Sequence, residues 1–289
     1  MRILVIGHGS AGQAHAKNIE QFGGDVEIMD PQFPSCSTMR NWNEFDGFVI
    51  ASPTLWHIDH LLACYEYHKP ILAEKPIALE PLDSGFLEHL AELNPRIYVA
   101  YQMRYLQPLM QVKEDLLSGV FGKILEVVVK YGYDIRKWHG PENPYLAKDG
   151  ILLEASHELD YLLWLFGDLQ FAVGALGFFT NFGEKESQVH LIYHSRNPVI
   201  LTQSGFGMIS VRLNYVQPEY ERTLEVIGEK GTRKIHFPME EIAEARVEMM
   251  RDWLGVVDGR EPGRLATIQD SMTMLMVIDQ AKKYAKVFS

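Results

Sequence analysis

The chain has 289 residues, 47% of them hydrophobic and 22% charged, which predicts two domains with ample core. Its net charge of −11, with no basic stripe, argues against a nucleic-acid partner, and no apolar run reaches the length of a membrane span. Cys36 and Cys64 lack any motif spacing and read as free thiols, and a cytoplasmic location is expected.

Taken in order, Arg2-Ile3-Leu4-Val5-Ile6 is a run of branched apolar residues, as in a strand of a parallel sheet buried on both faces. Gly7-His8-Gly9-Ser10-Ala11-Gly12 follows and fits G-x-G-x-x-G, with helical sequence from Gln13 to Gln21. That strand–turn–helix setting is what the dinucleotide fingerprint requires. Gly7 serves the sharp turn, Gly9 lets a pyrophosphate approach the backbone, and Gly12 lets the helix lie close to the strand. Ser10 and Ala11 complete the loop, where unpartnered helix amides favour an anion. A second strand, Asp25 to Met29, ends at Asp30, about twenty residues past the motif, where a ribose 2′-OH would be read. The charge of Asp30 favours NAD over NADP.

Further strands are expected at Phe48–Ala51, Ile71–Ala73 and Arg96–Ala100, alternating with helices at Leu55–Tyr67, Leu82–Leu93 and Pro108–Ser118. This makes a doubly wound α/β domain over residues 1–118. Glu74-Lys75-Pro76 stands at the C-terminal end of its fourth strand, where open parallel sheets bind ligands. His57 and His60 lack a further ligand set, so no metal site is expected.

The pattern then changes. Lys123–Tyr133 alternates like an antiparallel strand, and a loop rich in Trp, His, Pro and Gly runs from Asp134 to Gly150. A helix is predicted over Ile151–Phe166. Strands follow at about 169–180, 187–194, 199–206, 208–216, 221–228 and 232–237, then helices at about 239–257 and 266–284. Residues 119–289 therefore read as an α+β domain on a large, mainly antiparallel open sheet. Within the 151–166 helix, Glu154, His157 and Asp160 are three apart and share a face. An imidazole between two carboxylates suits acid–base chemistry, and a solvated face of an amphipathic helix is the competing reading.

Four blocks carry a family resemblance: Gly7-x-Gly9-x-x-Gly12, Ala51-Ser52-Pro53-Thr54-x-x-His57, Ala73-Glu74-Lys75-Pro76, and Leu152 to Gly167 around Glu154-Ala155-Ser156-His157-Glu158-Leu159-Asp160. In order and spacing they resemble the glucose-fructose oxidoreductase / inositol dehydrogenase (Gfo/Idh/MocA) family. The resemblance implies an N-terminal Rossmann domain and a C-terminal sheet that carries a homodimer or homotetramer interface. It also implies NAD(P)-dependent hydride transfer at a hydroxyl or keto carbon of a sugar, sugar derivative or cyclitol. The block around Ser156-His157 looks like members associated with bacterial surface sugars.

By that resemblance Ser52, Pro53, Thr54 and His57 line the nicotinamide side. Glu74 and Lys75 lie beside the nicotinamide ribose, Gln102 matches the residue near the carboxamide, and Lys75 with His157 matches the catalytic pair. The family pattern has Asp four residues before the histidine, where this chain has Leu153. Glu154 and Asp160 both stand as replacements. Arg104, Trp138, His139 and Tyr145 are candidate substrate contacts, through a cationic group and rings suited to a sugar face. Two other readings stay open: a non-catalytic dinucleotide and sugar sensor of the same fold, and a reductase acting on an imine or tetrapyrrole.

Overall fold

The computed structural model describes residues 1–30, 42–139, 149–178, 185–195 and 207–288. The chain divides into two compact units, Met1–Tyr105 with Ala243–Leu275, and Leu106–Ile242 with Met276–Ser289. The C-terminal helices expected wholly in the second domain therefore contribute to both units. A helix is assigned by what covers its apolar face, and local periodicity does not report that.

In the first unit β1 (Arg2–Ile6), α1 (Ser10–Gln21), β2 (Asp25–Met29), β3 (Gly47–Ile50), α2 (His57–Tyr65), β4 (Ile71–Ala73), α3 (Ser84–Leu93) and β5 (Ile97–Val99) follow in sequence. A short 3-10 turn, Thr54–Trp56, precedes α2, and another, Gln102–Tyr105, follows β5. β1 pairs in parallel with both β2 and β3, and β3, β4 and β5 continue in parallel. The chain runs from β1 outward to β2, then returns to β3 on the other side of β1. That reversal makes the crevice beyond the C-terminal ends of β1 and β3 the ligand position of a doubly wound sheet. β3, β4 and β5 are apolar throughout and completely buried, while β2 carries Asp25 and Glu27 at the sheet edge.

The second unit holds α4 (Gln107–Ser118), β6 (Ile124–Asp134), α5 (Ile135–His139), α6 (Ile151–Glu154) and α7 (Ser156–Phe166). It continues with β7 (Leu169–Gly177), β8 (Gln188–Ser195), β9 (Gly207–Asn214), β10 (Val216–Gly228) and β11 (Gly231–His236). Then come α8 (Met239–Val257), β12 (Ala266–Thr267), α9 (Ile268–Tyr284) and β13 (Lys286–Phe288), of which β12 belongs to the first sheet. The second sheet has the order β11-β10-β6-β9-β8-β7-β13 and is antiparallel except at β6–β9 and β7–β13.

One face of this sheet is core: Val127, Val129, Leu191, Tyr193, Ile209, Val211, Leu224 and Val226 are all at most 2% exposed. The other face alternates Glu126, Val128 and Lys130 with Met208 and Arg212, and only partly excludes water. The predicted strand at 199–206 lies outside the described residues. β12 and β13 have no counterpart in the sequence reading. They are two and three residues long and exist as additions to sheet edges.

No helix among the described residues is long and apolar enough to cross a membrane. α8 reaches back to the first sheet, where a Cβ on Gly47 of β3 would touch the Trp253 ring at 3.1 Å. Trp253 is fully buried there.

Candidate functional site

The glycine loop has the conformation its spacing predicts. Gly7 sits at φ 104°, a region L side chains rarely adopt, and a Cβ there would lie 2.5 Å from the Ala51 carbonyl oxygen. A Cβ on Gly12 would overlap the Gly7 carbonyl oxygen. Gly9 differs, since a Cβ there would meet nothing within 4 Å among the described residues. Its lack of a side chain answers no packing need among the described residues, and leaves a cradle that a ligand could fill. His8, Gly9 and Ser10 are exposed and Ala11 is half-buried. Among the described residues no side chain caps the N-terminus of α1, where helix amides can meet an anion. Gly7 N–H donates to Met29 O at 2.7 Å, which sets Asp30, the next residue, beside the loop. These groups fit the pyrophosphate and adenosine ribose of a dinucleotide.

The exits of β3 and β4 form the next wall. Ser52 is buried, Pro53 exposed and Thr54 half-buried. Ser52 Oγ lies 2.8 Å from His60 Nδ1. His57 is 1% exposed, with Nδ1 2.9 Å from Pro76 O and Nε2 2.7 Å from Ser52 O. Burial pulls its pKa below the ordinary value, against the two carbonyls and the charge of Glu74.

Glu74 N–H donates to Ile50 O at 2.7 Å, and its Oε1 accepts from Nε2 of the fully buried His15 at 2.7 Å. Burial alone would raise the Glu74 pKa. The His15 hydrogen bond and the charges of His15, Arg246 and Lys75 outweigh it and hold the carboxyl at about 2. Lys75 is half-buried in the same turn, and its peptide bond to Pro76 is cis. Beyond β5, Gln102 and Arg104 are buried at 6% and 4% exposure. Arg104 Nη1 pairs with Asp270 Oδ2 at 3.2 Å, so this candidate substrate contact is an internal ion pair. All of these residues belong to the first unit.

In the second unit the helix predicted over 151–166 is broken. Ala155, at φ −82° and ψ 23°, separates α6 from α7, which interrupts the three-residue register from Glu154 to His157. The solvated-face reading fails as well. Ser156, His157, Glu158, Leu159, Asp160, Tyr161 and Leu162 are all buried, with His157 at 5% and Glu158 and Asp160 at 0%.

Glu154 receives phenol hydroxyls from Tyr131 at 3.3 Å, from Tyr215 at 2.7 Å, and from Tyr133. Burial and the Glu154 charge push all three phenol pKa values up, which keeps the hydroxyls protonated as donors. Glu158 accepts from Arg222 Nε at 2.6 Å and Nη2 at 3.1 Å, and the Arg222 guanidinium lies 4.7 Å from the centroid of the Tyr131 ring. Burial works against the charge on Arg222, but Glu158 and Tyr131 hold it cationic.

Trp138 and His139 fall in α5, with side chains outside the described residues, and Tyr145 also lies outside them. Two sets of predicted residues result: the loop, Asp30 and the β3, β4 and β5 exits in the first unit, and Glu154, His157 and Asp160 in the second.

His15, Glu158, Arg222 and the three tyrosines were not singled out in the sequence. A charged Glu158 amid leucines was the available signal, but its partner is 64 positions away.

A family model described as the GFO/IDH/MocA C-terminal domain matches residues 109–234. An inositol 2-dehydrogenase from Rhodococcus jostii (strain RHA1) is 25% identical over 255 residues, 80% of this chain and 67% of that protein. A glucose-6-phosphate 3-dehydrogenase from Bacillus subtilis (strain 168) is 29% identical over 147 residues, 45% of this chain and 42% of its own. Among solved structures, the WlbA dehydrogenase from Bordetella pertussis, in complex with NADH and UDP-GlcNAcA, superposes with a TM-score of 0.80. It is 18% identical, with 98% of this chain and 94% of that one covered, a likeness of fold.

Proposed function

From the match of the GFO/IDH/MocA C-terminal domain to residues 109–234 and the dehydrogenase relatives, we propose that the chain is a member of the Gfo/Idh/MocA family and transfers a hydride between NAD and a hydroxyl or keto carbon of a sugar, sugar derivative or cyclitol. The observation that carries this reading is Gly9. It stands at the strand-order reversal, over the uncapped N-terminus of α1, with space where a side chain would be. The relatives named above are dehydrogenases of inositol or of a sugar phosphate, which supports turnover over the sensor reading.

When bound, NAD supplies the hydride-accepting nicotinamide. Gly9, Ser10, Ala11 and Gly12 would hold its pyrophosphate, and Asp30 its adenosine ribose, which favours NAD over NADP. Lys75 stabilises the developing alkoxide with its charge, and His157 takes the hydroxyl proton in oxidation and returns it in reduction. Asp160, one turn beyond His157 in α7, is the carboxylate assigned to orienting the ring. Glu154 is the other candidate, and its oxygens already receive three phenols.

The mixed face of the second sheet, with Met208 43% and Val173 52% exposed, supports a homodimer or homotetramer formed there. A cytoplasmic location accords with the cofactor.

The test is NADH production from a panel of myo-inositol, scyllo-inositol, glucose 6-phosphate and UDP-GlcNAcA. Lys75→Ala and His157→Ala should each abolish turnover and leave NADH binding largely intact. Near-wild-type kcat in either variant would refute its assignment.

A further inference from the structure

The residues on either side of Lys75 are each held by a buried imidazole from a different helix. On one side, Glu74 Oε1 accepts from His15 Nε2 at 2.7 Å, and His15 is completely buried within α1. On the other, the Pro76 carbonyl faces His57 Nδ1 at 2.9 Å, while the opposite nitrogen of that ring faces Ser52 O at 2.7 Å. Both partners of His57 are carbonyl oxygens, which only accept, so the neutral ring donates its one N–H to one of them and packs its other nitrogen against the second, between the exits of β3 and β4. Neither histidine offers a nitrogen to solvent, at 0% and 1% exposure. One nitrogen of each histidine thus reaches one of the two chain neighbours of Lys75.

We propose that His15 and His57 are positioning residues for Lys75, fixing the direction in which its ammonium leaves the turn. The proposal rests on the reading of Lys75 as the cation beside the nicotinamide. His15 lies about 9 Å along the helix from Gly9. The helix that would hold the pyrophosphate at its first turn therefore grips the Lys75 turn two turns later. Glu74, expected from the family resemblance to lie at the nicotinamide ribose, acts here as the handle that α1 holds. His57 acts through the backbone of Pro76 and Ser52.

The test follows Lys75 itself, by NMR of the protein after reductive ¹³C-methylation of its lysines, with the Lys75 signal identified by its loss in Lys75→Arg. NADH is the probe. In the wild type the Lys75 signal moves when NADH is added to saturation. In His57→Phe and His15→Phe that response falls by roughly half or more. His57→Gln and His15→Gln each keep one donor, and they retain an intermediate response. Far-UV circular dichroism establishes that each variant is folded. Should the Phe variants not fold, the Gln variants decide alone, and a wild-type response in both overturns the proposal. A wild-type Lys75 signal that ignores NADH overturns the reading of Lys75 and the proposal with it. A response that survives unchanged in folded Phe variants overturns the proposal alone.

Discussion

Glu158 and Arg222 meet as a two-point ion pair, with neither side chain more than 8% exposed, at 2.6 and 3.1 Å. The pair ties α7, one residue beyond His157, to β10 of the second sheet. Losing one partner leaves the other charged and sealed from water. Glu158→Gln or Arg222→Met should therefore cost about 3–5 kcal/mol in urea unfolding. Removing both together, as Glu158→Leu with Arg222→Met, should recover most of that loss. Single variants within about 1 kcal/mol of wild type would show that the pair is not sealed as described.

The tyrosine cage around Glu154 makes a separate claim. A hydrogen bond to a charged acceptor is worth about 1.5–3 kcal/mol, so Tyr215→Phe should destabilise the protein by that order. The three phenols share one carboxylate. Tyr133→Phe combined with Tyr215→Phe should then depart from the sum of the single changes by more than about 0.5 kcal/mol. Simple additivity in unfolding titrations would argue against a common acceptor.

The glycine loop separates folding from binding. Gly12→Ala forces a methyl into the Gly7 carbonyl, so loss of stability is expected, read by thermal denaturation. Gly9→Ala meets none of the described residues, at an ordinary φ of −68°, and should leave the melting temperature essentially unchanged. The same methyl stands where the pyrophosphate would approach. NADH affinity should drop tenfold or more, about 1.4 kcal/mol in a fluorescence titration. Wild-type affinity in Gly9→Ala would remove the cofactor from this loop.

Glu74 gives stability a pH signature. Its carboxyl, ordinarily near 4.5, is held at about 2 in the folded protein. A pKa depressed by folding adds stability above the unfolded value, and that stability is lost as pH falls through the folded one. Wild type should exceed Glu74→Gln by up to about 3 kcal/mol at neutral pH. The gap should close between about pH 4.5 and 2. Urea titrations of the two proteins across that range provide the measurement, and a gap independent of pH would contradict the His15–Glu74 contact.

Much of the architecture was legible because its causes are local. The β1 run, the three glycines and the helix after them determine one another over a dozen residues, and Asp30 follows at the end of the next strand. Breaks and edges were less visible. The turn at Ala155 interrupts a helical pattern that the apolar spacing alone would continue. β12 and β13 have too few residues to carry a periodicity, and each is held by the strand it joins. Arg104 read as a candidate substrate contact at a strand exit, and the fold supplies Asp270 as a carboxylate partner.

By itself the sequence determined the doubly wound domain, the dinucleotide loop and the residues with chemistry to offer, since each depends on neighbours within a turn or two. The tertiary structure decided what those residues touch. It closed His57 between two carbonyls, gave Glu74 to His15 and Glu154 to three tyrosines, and buried a helix that looked half solvated. Those partners come from distant segments, and no spacing along a chain states which segments will meet. A buried polar group must find a partner, and the fold determines which one.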